Sequence, residues 1–182
     1  MTTCAVLVAS AMLLVSAQDA PEEIRQERNE RLQFMVGEWT TVHKVPGRDG
    51  GSTSFGGEAS IDRAVGGTFV RHDWRGRMEG RGEFFMMLMM NWSPEKEMYI
   101  CCLFDKAGGE PGLFYGDWID DDTLVVKAQF DGADGGADHQ RFTFVKVSDN
   151  VFTLSRAFSD DGERYHFEVT GTYTRKESGR GT

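Results

Sequence analysis

Few residue types in this chain can do chemistry: 4 histidines, 3 cysteines and 9 methionines among 182 residues. The densest group is Met86, Met87, Met89 and Met90, with Met98, Cys101 and Cys102 close behind. Thioether and thiolate are the ligands that Cu(I) prefers. On an extended strand, however, successive side chains point to opposite faces. Met86 and Met90 then face one way, Met87 and Met89 the other. Ligands on opposite faces cannot share one ion, and methionine is a common filler of irregular cores. The acidic run from Asp131 through Asp134 to Asp138 has oxygens for Ca²⁺. It lacks EF-hand spacing and a bidentate glutamate, so it reads as a solvated hairpin loop. No metal site and no cofactor are expected.

His72 shares a strand parity with Val70, Trp74 and Met78, and His43 shares one with Trp39. A histidine on an apolar face either orients a ligand through one hydrogen bond or is satisfied by a neighbouring strand. Both readings stay open. Arg63, Arg71, Arg75, Arg77 and Arg81 interleave with Asp62, Asp73, Glu79 and Glu83, the pattern of a solvated face. There is no Gly-x-Ser-x-Gly elbow and no His-Glu-x-x-His pair. Acidic clusters fall at turns, where aspartate is expected anyway. No residue set nominates itself for general acid or base work, so no catalytic residue is assigned.

One helix and a series of strands must position these residues. Pro21 to Val36 is the helix: Pro21 suits a first turn, and Glu22 and Glu23 complement the N-terminal dipole. Ile24, Arg28, Arg31, Leu32 and Met35 share a stripe, and Gly37 ends it. The strands expected after it are Glu38–Val45, Thr53–Val65, Thr68–Glu79, Glu83–Trp92, Glu97–Phe104, Gly112–Ile119, Thr123–Phe130, Gln140–Val147, Val151–Phe158 and Tyr165–Arg175. Turn residues such as Gly66-Gly67, Ser93-Pro94, Asp149-Asn150 and Asp160-Asp161-Gly162 separate them. About ten strands joined by hairpin-length turns predict an all-β, up-and-down antiparallel meander. Closure into a barrel would remove its unpaired edges. The stretch Phe84–Trp92 is apolar on both parities, so its outer face needs a cover.

Hydrophobic residues make up 40 % of the chain and charged residues 27 %, as in a folded domain. A net charge of -9 repels phosphate backbones and anionic lipid, so neither nucleic acid nor membrane insertion is expected. Ala5 to Val15 is apolar or small, and Val15-Ser16-Ala17 suits a signal peptidase. Residues 1–17 therefore read as a signal peptide, with Gln18 as the new N-terminus and an exported, periplasmic or extracellular, product. The organisation expected is that leader, a helical segment over 18–36, a barrel over 37–176 and a loose tail over 177–182. Cys101 and Cys102 read as thiols, since a vicinal disulfide would need special backbone geometry.

Gly37-Glu38-Trp39 opens the first strand, and Tyr173-Thr174-Arg175-Lys176 closes the last. This resembles the calycin, or lipocalin-like, superfamily. There the Gly-x-Trp tryptophan plugs the closed end of a barrel and a late arginine packs on its ring. The resemblance gives those roles to Trp39 and Arg175. Gly66-Gly67-Thr68-Phe69, Asn91 to Lys96 followed by Tyr99, and Gly116-Asp117-Trp118 extend it. Leu32 to Lys176 thereby resembles a bacterial family of calycin-like barrels of unknown function. A more distant similarity is to haem-binding barrels of the nitrobindin type, but Thr40-Thr41-Val42-His43 replaces their further glycines. The late histidines here are His139, in a turn region, and His166, on a wet parity.

The function expected is binding of a small apolar molecule in the barrel, with His43, His72, Trp74, Met86 and Met90 lining the site. Phe85, Met87 and Met89 form an expected interface, covered by a second subunit in a homodimer or by the N-terminal helix. A self-associating structural domain with a filled cavity is the rival reading. A cavity enzyme, isomerase or hydrolase, and a haem-binding barrel are further alternatives.

Overall fold

The alternation that begins at Gly37 is realised as ten antiparallel strands. The computed structural model describes residues 22–47, 49–106, 109–132 and 136–177. The leader, Cys4, Gln18 and Pro21 lie outside the described residues, as do 133–135 of the acidic run and 178–182 of the tail. The strands are β1 (Gly37–Pro46), β2 (Ser52–Ala64), β3 (Phe69–Met78), β4 (Gly82–Ser93), β5 (Met98–Asp105), β6 (Gly112–Trp118), β7 (Thr123–Asp131), β8 (Ala137–Ser148), β9 (Val151–Ser159) and β10 (Phe167–Arg175). Each pairs with its sequence neighbours, and β10 pairs back onto β1 to close the barrel. Closure leaves no unpaired edge among the ten described strands to template another chain.

Side chains alternate as a half-buried strand requires. In β1, Trp39, Thr41 and His43 are buried while Glu38, Thr40, Val42 and Lys44 are exposed. The inner face carries a large aromatic core: Trp39, Tyr99, Phe114, Phe142, Phe144, Phe152 and Tyr173 are fully buried. Burying each such ring contributes about 1.5–3 kcal/mol. Phe152 stacks on Tyr173 at 4.3 Å between ring centroids and meets Trp39 edge-on at 4.8 Å.

One end is sealed by the helix, α1 (22–30), which tightens into a 3-10 turn over Arg31–Met35. Leu32 and Met35 are buried as the stripe predicts, but Ile24 is 46 % exposed, too far N-terminal to reach the barrel. The two arginines of the stripe lie over rings at this end: Arg31 over Trp118 at 4.1 Å and Arg28 over Trp92 at 5.9 Å. Asn29 ties helix to barrel, donating to the Thr68 carbonyl (3.0 Å) and accepting from the Trp92 N–H (2.8 Å). Arg175 packs over the Trp39 ring at 4.2 Å. Its guanidinium donates to the carbonyls of Val36 (2.8 Å), Phe34 (3.0 Å) and Asp149 (3.1 Å). The Trp39 indole donates to the Met35 carbonyl at 2.8 Å. Gly37, at a φ of 142°, leaves room for this cluster; a Cβ there would lie 2.3 Å from Arg175 Nη1.

β4 divides its two apolar parities as alternation requires. Leu88, Met90 and Trp92 are buried in the core, and Phe84 and Met86 pack against it. Phe85, Met87 and Met89 face outward. The hydrogen bonds between α1 and the barrel lie at the barrel's end, at Thr68, Trp92 and Tyr99. The helix is therefore not the cover of this face: Phe85 remains 49 % exposed. The last strand starts at Phe167 rather than Tyr165. The ring of Tyr165 lies under the Arg141 guanidinium at 4.1 Å, off the apolar row of β10.

Candidate functional site

Opposite the helix the barrel opens into a cavity of about 640 Å³. Its walls come from the ends of strands that alternate toward the interior: Phe55 on β2, Trp74 on β3, Phe84 and Met86 on β4, Phe142 on β8, Leu154 and Phe158 on β9, and Phe167 and Val169 on β10. The volume lies within the range that holds a small organic ligand, and such sites are mostly apolar with a few placed polar groups. His43 marks its inner limit, with its ring 4.6 Å from Trp74 and 5.3 Å from Phe55. The Trp74 indole donates to Thr41 Oγ1 at 2.9 Å. Gly171 faces His43 across the sheet, and a Cβ there would lie 2.5 Å from His43 Cε1, so the ring's seat depends on glycine.

Below His43 the interior is packed. His72 and Tyr173 are buried, with ring centroids 5.5 Å apart; His43 lies 5.8 Å from the same tyrosine. Nε2 of His43, Nε2 of His72 and the Tyr173 hydroxyl are all buried without a hydrogen-bond partner among the described residues. Burial pushes the His43 pKa down to about 4. Burial, with a smaller contribution from His43, pushes His72 down to about 3. Both imidazoles are neutral at pH 7, and burial drives the Tyr173 pKa upward.

Near the open end, Arg156 points inward from β9. It is paired in register with Phe142 of β8 and Val169 of β10. Gln140 Oε1 accepts from both its Nε (3.1 Å) and its Nη2 (2.6 Å). The Gln140 amide in turn donates to Asp138 Oδ2 at 2.6 Å. Arg156 Nη1 lies 3.9 Å from Asp105 Oδ2, an ion pair beyond hydrogen-bond length. Desolvation is the main influence on Arg156 and lowers its pKa, opposed by Asp105 and Asp138.

The residues expected to line the site separate into two groups. His43, Trp74 and Met86 line the cavity. His72 and Met90, each 1 % exposed, do not; they sit one layer deeper in the sealed core. Trp39 and Arg175 meet at the closed end. Phe85, Met87 and Phe104 share an outer groove of about 560 Å³, while Met89 lies further along the same outer face, opposite Cys102. Sequence reasoning missed Arg156. Its signal is nonetheless present: in Phe152, Leu154, Arg156 and Phe158 a lone charge occupies the apolar parity of β9.

The outward and inward methionines of β4 do not converge. Among the described residues no three His, Cys, Asp or Glu side chains gather as a metal set. Cys101 is buried and Cys102 half-buried, both unpaired, and burial pushes both thiols up. That depresses thiolate and hence nucleophilicity. No described helix is long and apolar enough to cross a membrane.

Solved structures share the barrel. Rv2717c from M. tuberculosis superposes with a TM-score of 0.56 at 13 % identity, covering 81 % of this chain and 96 % of its own. The S-type phycobiliprotein lyase CPES from Guillardia theta gives 0.54 at 12 % identity, covering 86 % and 98 %. At such identities the likeness is one of fold. No curated protein matches the chain. Residues 25–175 match a family described as a protein of unknown function (DUF1579), and the chain belongs to that family.

Proposed function

We propose that this protein binds a small apolar molecule in the open end of its barrel. The observation that carries the reading is the cavity of about 640 Å³ walled by Phe55, Trp74, Phe84, Phe142, Leu154 and Phe167. Filling it removes apolar surface from water at roughly 25 cal/mol per Å², and the barrel holds the walls apart before a ligand arrives. The test is native mass spectrometry on protein purified from its own host, followed by titration with the uncharged probe N-phenyl-1-naphthylamine. A co-purifying lipophile, or probe fluorescence that saturates at one site, is the expected result. An empty protein that leaves the probe dark overturns the reading.

The rival, self-association, is favoured by the outer face of β4 and β5. Phe85 and Phe104 are 49 % and 40 % exposed there, and Met87 is paired with Phe104. Contiguous exposed apolar surface of this kind marks interaction sites. Sedimentation of the full chain tests it. Export rests on the pattern of residues 1–17; sequencing the N-terminus of the extracytoplasmic protein should read from Gln18, and an intact Met1 refutes cleavage.

A further inference from the structure

An apolar cavity needs no arginine, and one placed there is costly unless it meets a negative charge. Arg156 has its Nε and Nη2 on Gln140 Oε1, and Gln140 is held in turn by Asp138. That chain of bonds fixes the plane of the guanidinium. Two of its five N–H groups are used in this way. Its Nη1 stands 3.9 Å from Asp105 Oδ2, an ion pair longer than a hydrogen bond. The guanidinium also lies over the Phe142 and Phe158 rings, at 5.6 and 5.1 Å, which places it against the apolar wall of the cavity. A second observation agrees in sign. The cavity is lined by two cations, Arg156 and Lys106, against one carboxylate, Asp105, in a chain whose net charge is -9.

We infer that the ligand is an apolar anion: one carboxylate on a hydrocarbon or aromatic body, with the carboxylate held at Arg156 and the body running inward past Phe142 and Leu154 to His43. The inference rests on the binding function proposed above and names its ligand class. Arg156 suits the task by geometry as well as charge. A guanidinium offers a planar pair of donors to a carboxylate, and Gln140 has already fixed its orientation. Leu154 is paired with Gly171, which faces His43, so Arg156 stands two residues nearer the mouth than the level of His43. A head group at Arg156 therefore leaves the inner cavity to the apolar body.

The experiment displaces N-phenyl-1-naphthylamine from the full chain with decanoate, 1-decanol and decyltrimethylammonium at pH 8. These share one alkyl body and differ in head charge. Decanoate should compete at least about tenfold better than decanol, the size of one charge-assisted hydrogen bond of about 1.4 kcal/mol. The cationic surfactant should be the weakest. Arg156→Met should bring decanoate down to decanol and leave decanol unchanged. Wild-type protein that takes the probe but binds decanol as well as decanoate overturns the inference and leaves the binding function standing. Protein that never takes the probe overturns both. The wild-type comparison is decisive by itself should Arg156→Met fail to fold. In that event Arg156→Lys, which keeps charge and loses the planar donor pair, should retain only part of the preference for decanoate.

Discussion

Tyr173→Phe should stabilise this protein. The hydroxyl of Tyr173 is buried and unpartnered, while the ring is embedded in the core. It stacks on Phe152 at 4.3 Å and meets His72 and His43 at 5.5 and 5.8 Å. Phenylalanine keeps every one of those ring contacts and removes the oxygen alone. Burying an unpaired hydroxyl costs about 1–3 kcal/mol. The space vacated is about one water-sized sphere, ~10–15 Å³, and at ~24 cal/mol per Å³ it costs about 0.3 kcal/mol. The net expectation is a gain of about 1–2 kcal/mol. For a chain of this length that raises Tm by about 2–8 °C and moves the urea midpoint up by about 0.5–1 M with m unchanged. Equilibrium urea unfolding followed by tryptophan fluorescence measures it. Tyr173→Leu is the control. It discards the ring with the hydroxyl and should destabilise by about 2–4 kcal/mol. A lower midpoint for Tyr173→Phe refutes the reasoning. It would mean that the hydroxyl is bonded in solution to a buried water shared with His43 or His72, the one way to satisfy such a group in a sealed interior.

Other perturbations follow from the same contacts. Arg175→Met removes three donors to backbone carbonyls and the contact with Trp39, and should lower stability by about 3 kcal/mol by urea unfolding, with Arg175→Lys intermediate. His43 and His72 are held neutral in the fold down to about pH 4 and about pH 3, whereas in the unfolded chain they take protons near 6.5. Below pH 6.5 the unfolded state therefore binds more protons, and stability should fall by about 1.4 kcal/mol per pH unit for each histidine. Urea midpoints at pH 7, 6 and 5 test this; His43→Gln should halve the slope, and a flat wild-type profile refutes it. Val169→Trp places a ring in the cavity and should weaken N-phenyl-1-naphthylamine binding at least about tenfold while the circular dichroism spectrum stays unchanged. Replacing Met87 and Met89 together by glutamate should turn any dimer into a monomer during sedimentation; a stable dimer that survives both charges refutes the outer face of β4 as its interface.

The fold was legible because alternation is a local signal that a barrel leaves intact. All ten strands stand where the apolar and polar parities place them, and the disagreements are at their ends. The sequence assigns Tyr165 to β10 because it continues the parity of Phe167 and Val169; in the fold its ring is taken by Arg141. Ile24 continued the helical stripe, but a stripe specifies a face and not how far the barrel end extends beneath it. The site was less legible for a different reason. Parity says which side chains point inward; it does not say how deep they lie. His72, Trp74, Met86 and Met90 all point inward. Only Trp74 and Met86 reach the cavity, because depth along a barrel is set by the register between strands, which pairs Trp74 with Met86 near the open end and Val70 with Met90 near the closed end.

The two-sided strand Phe84–Trp92 shows what register adds. Its inner parity grades from cavity wall to core along one strand: Phe84 and Met86 line the opening, Leu88 and Met90 are sealed, and Trp92 reaches the helix through Asn29 and Arg28. A soft metal is not what these methionines share, since the parities never meet. The outer parity has a separate physical cause. Phe85 and Met87 are paired across β3 with Arg75 and Asp73, and Met87 across β5 with Phe104. The outer surface thus changes from charged on the β3 side to apolar on the β5 side at this strand. The cavity and the outer groove meet at the four-residue segment Phe84 to Met87, where Phe85 and Met86 line both. Because the two share this segment, binding of a decanoate-sized acid and the state of association are best measured on the same sample. Independence of the two in every concentration regime would separate the cavity from the strip; a shift of one by the other would join them.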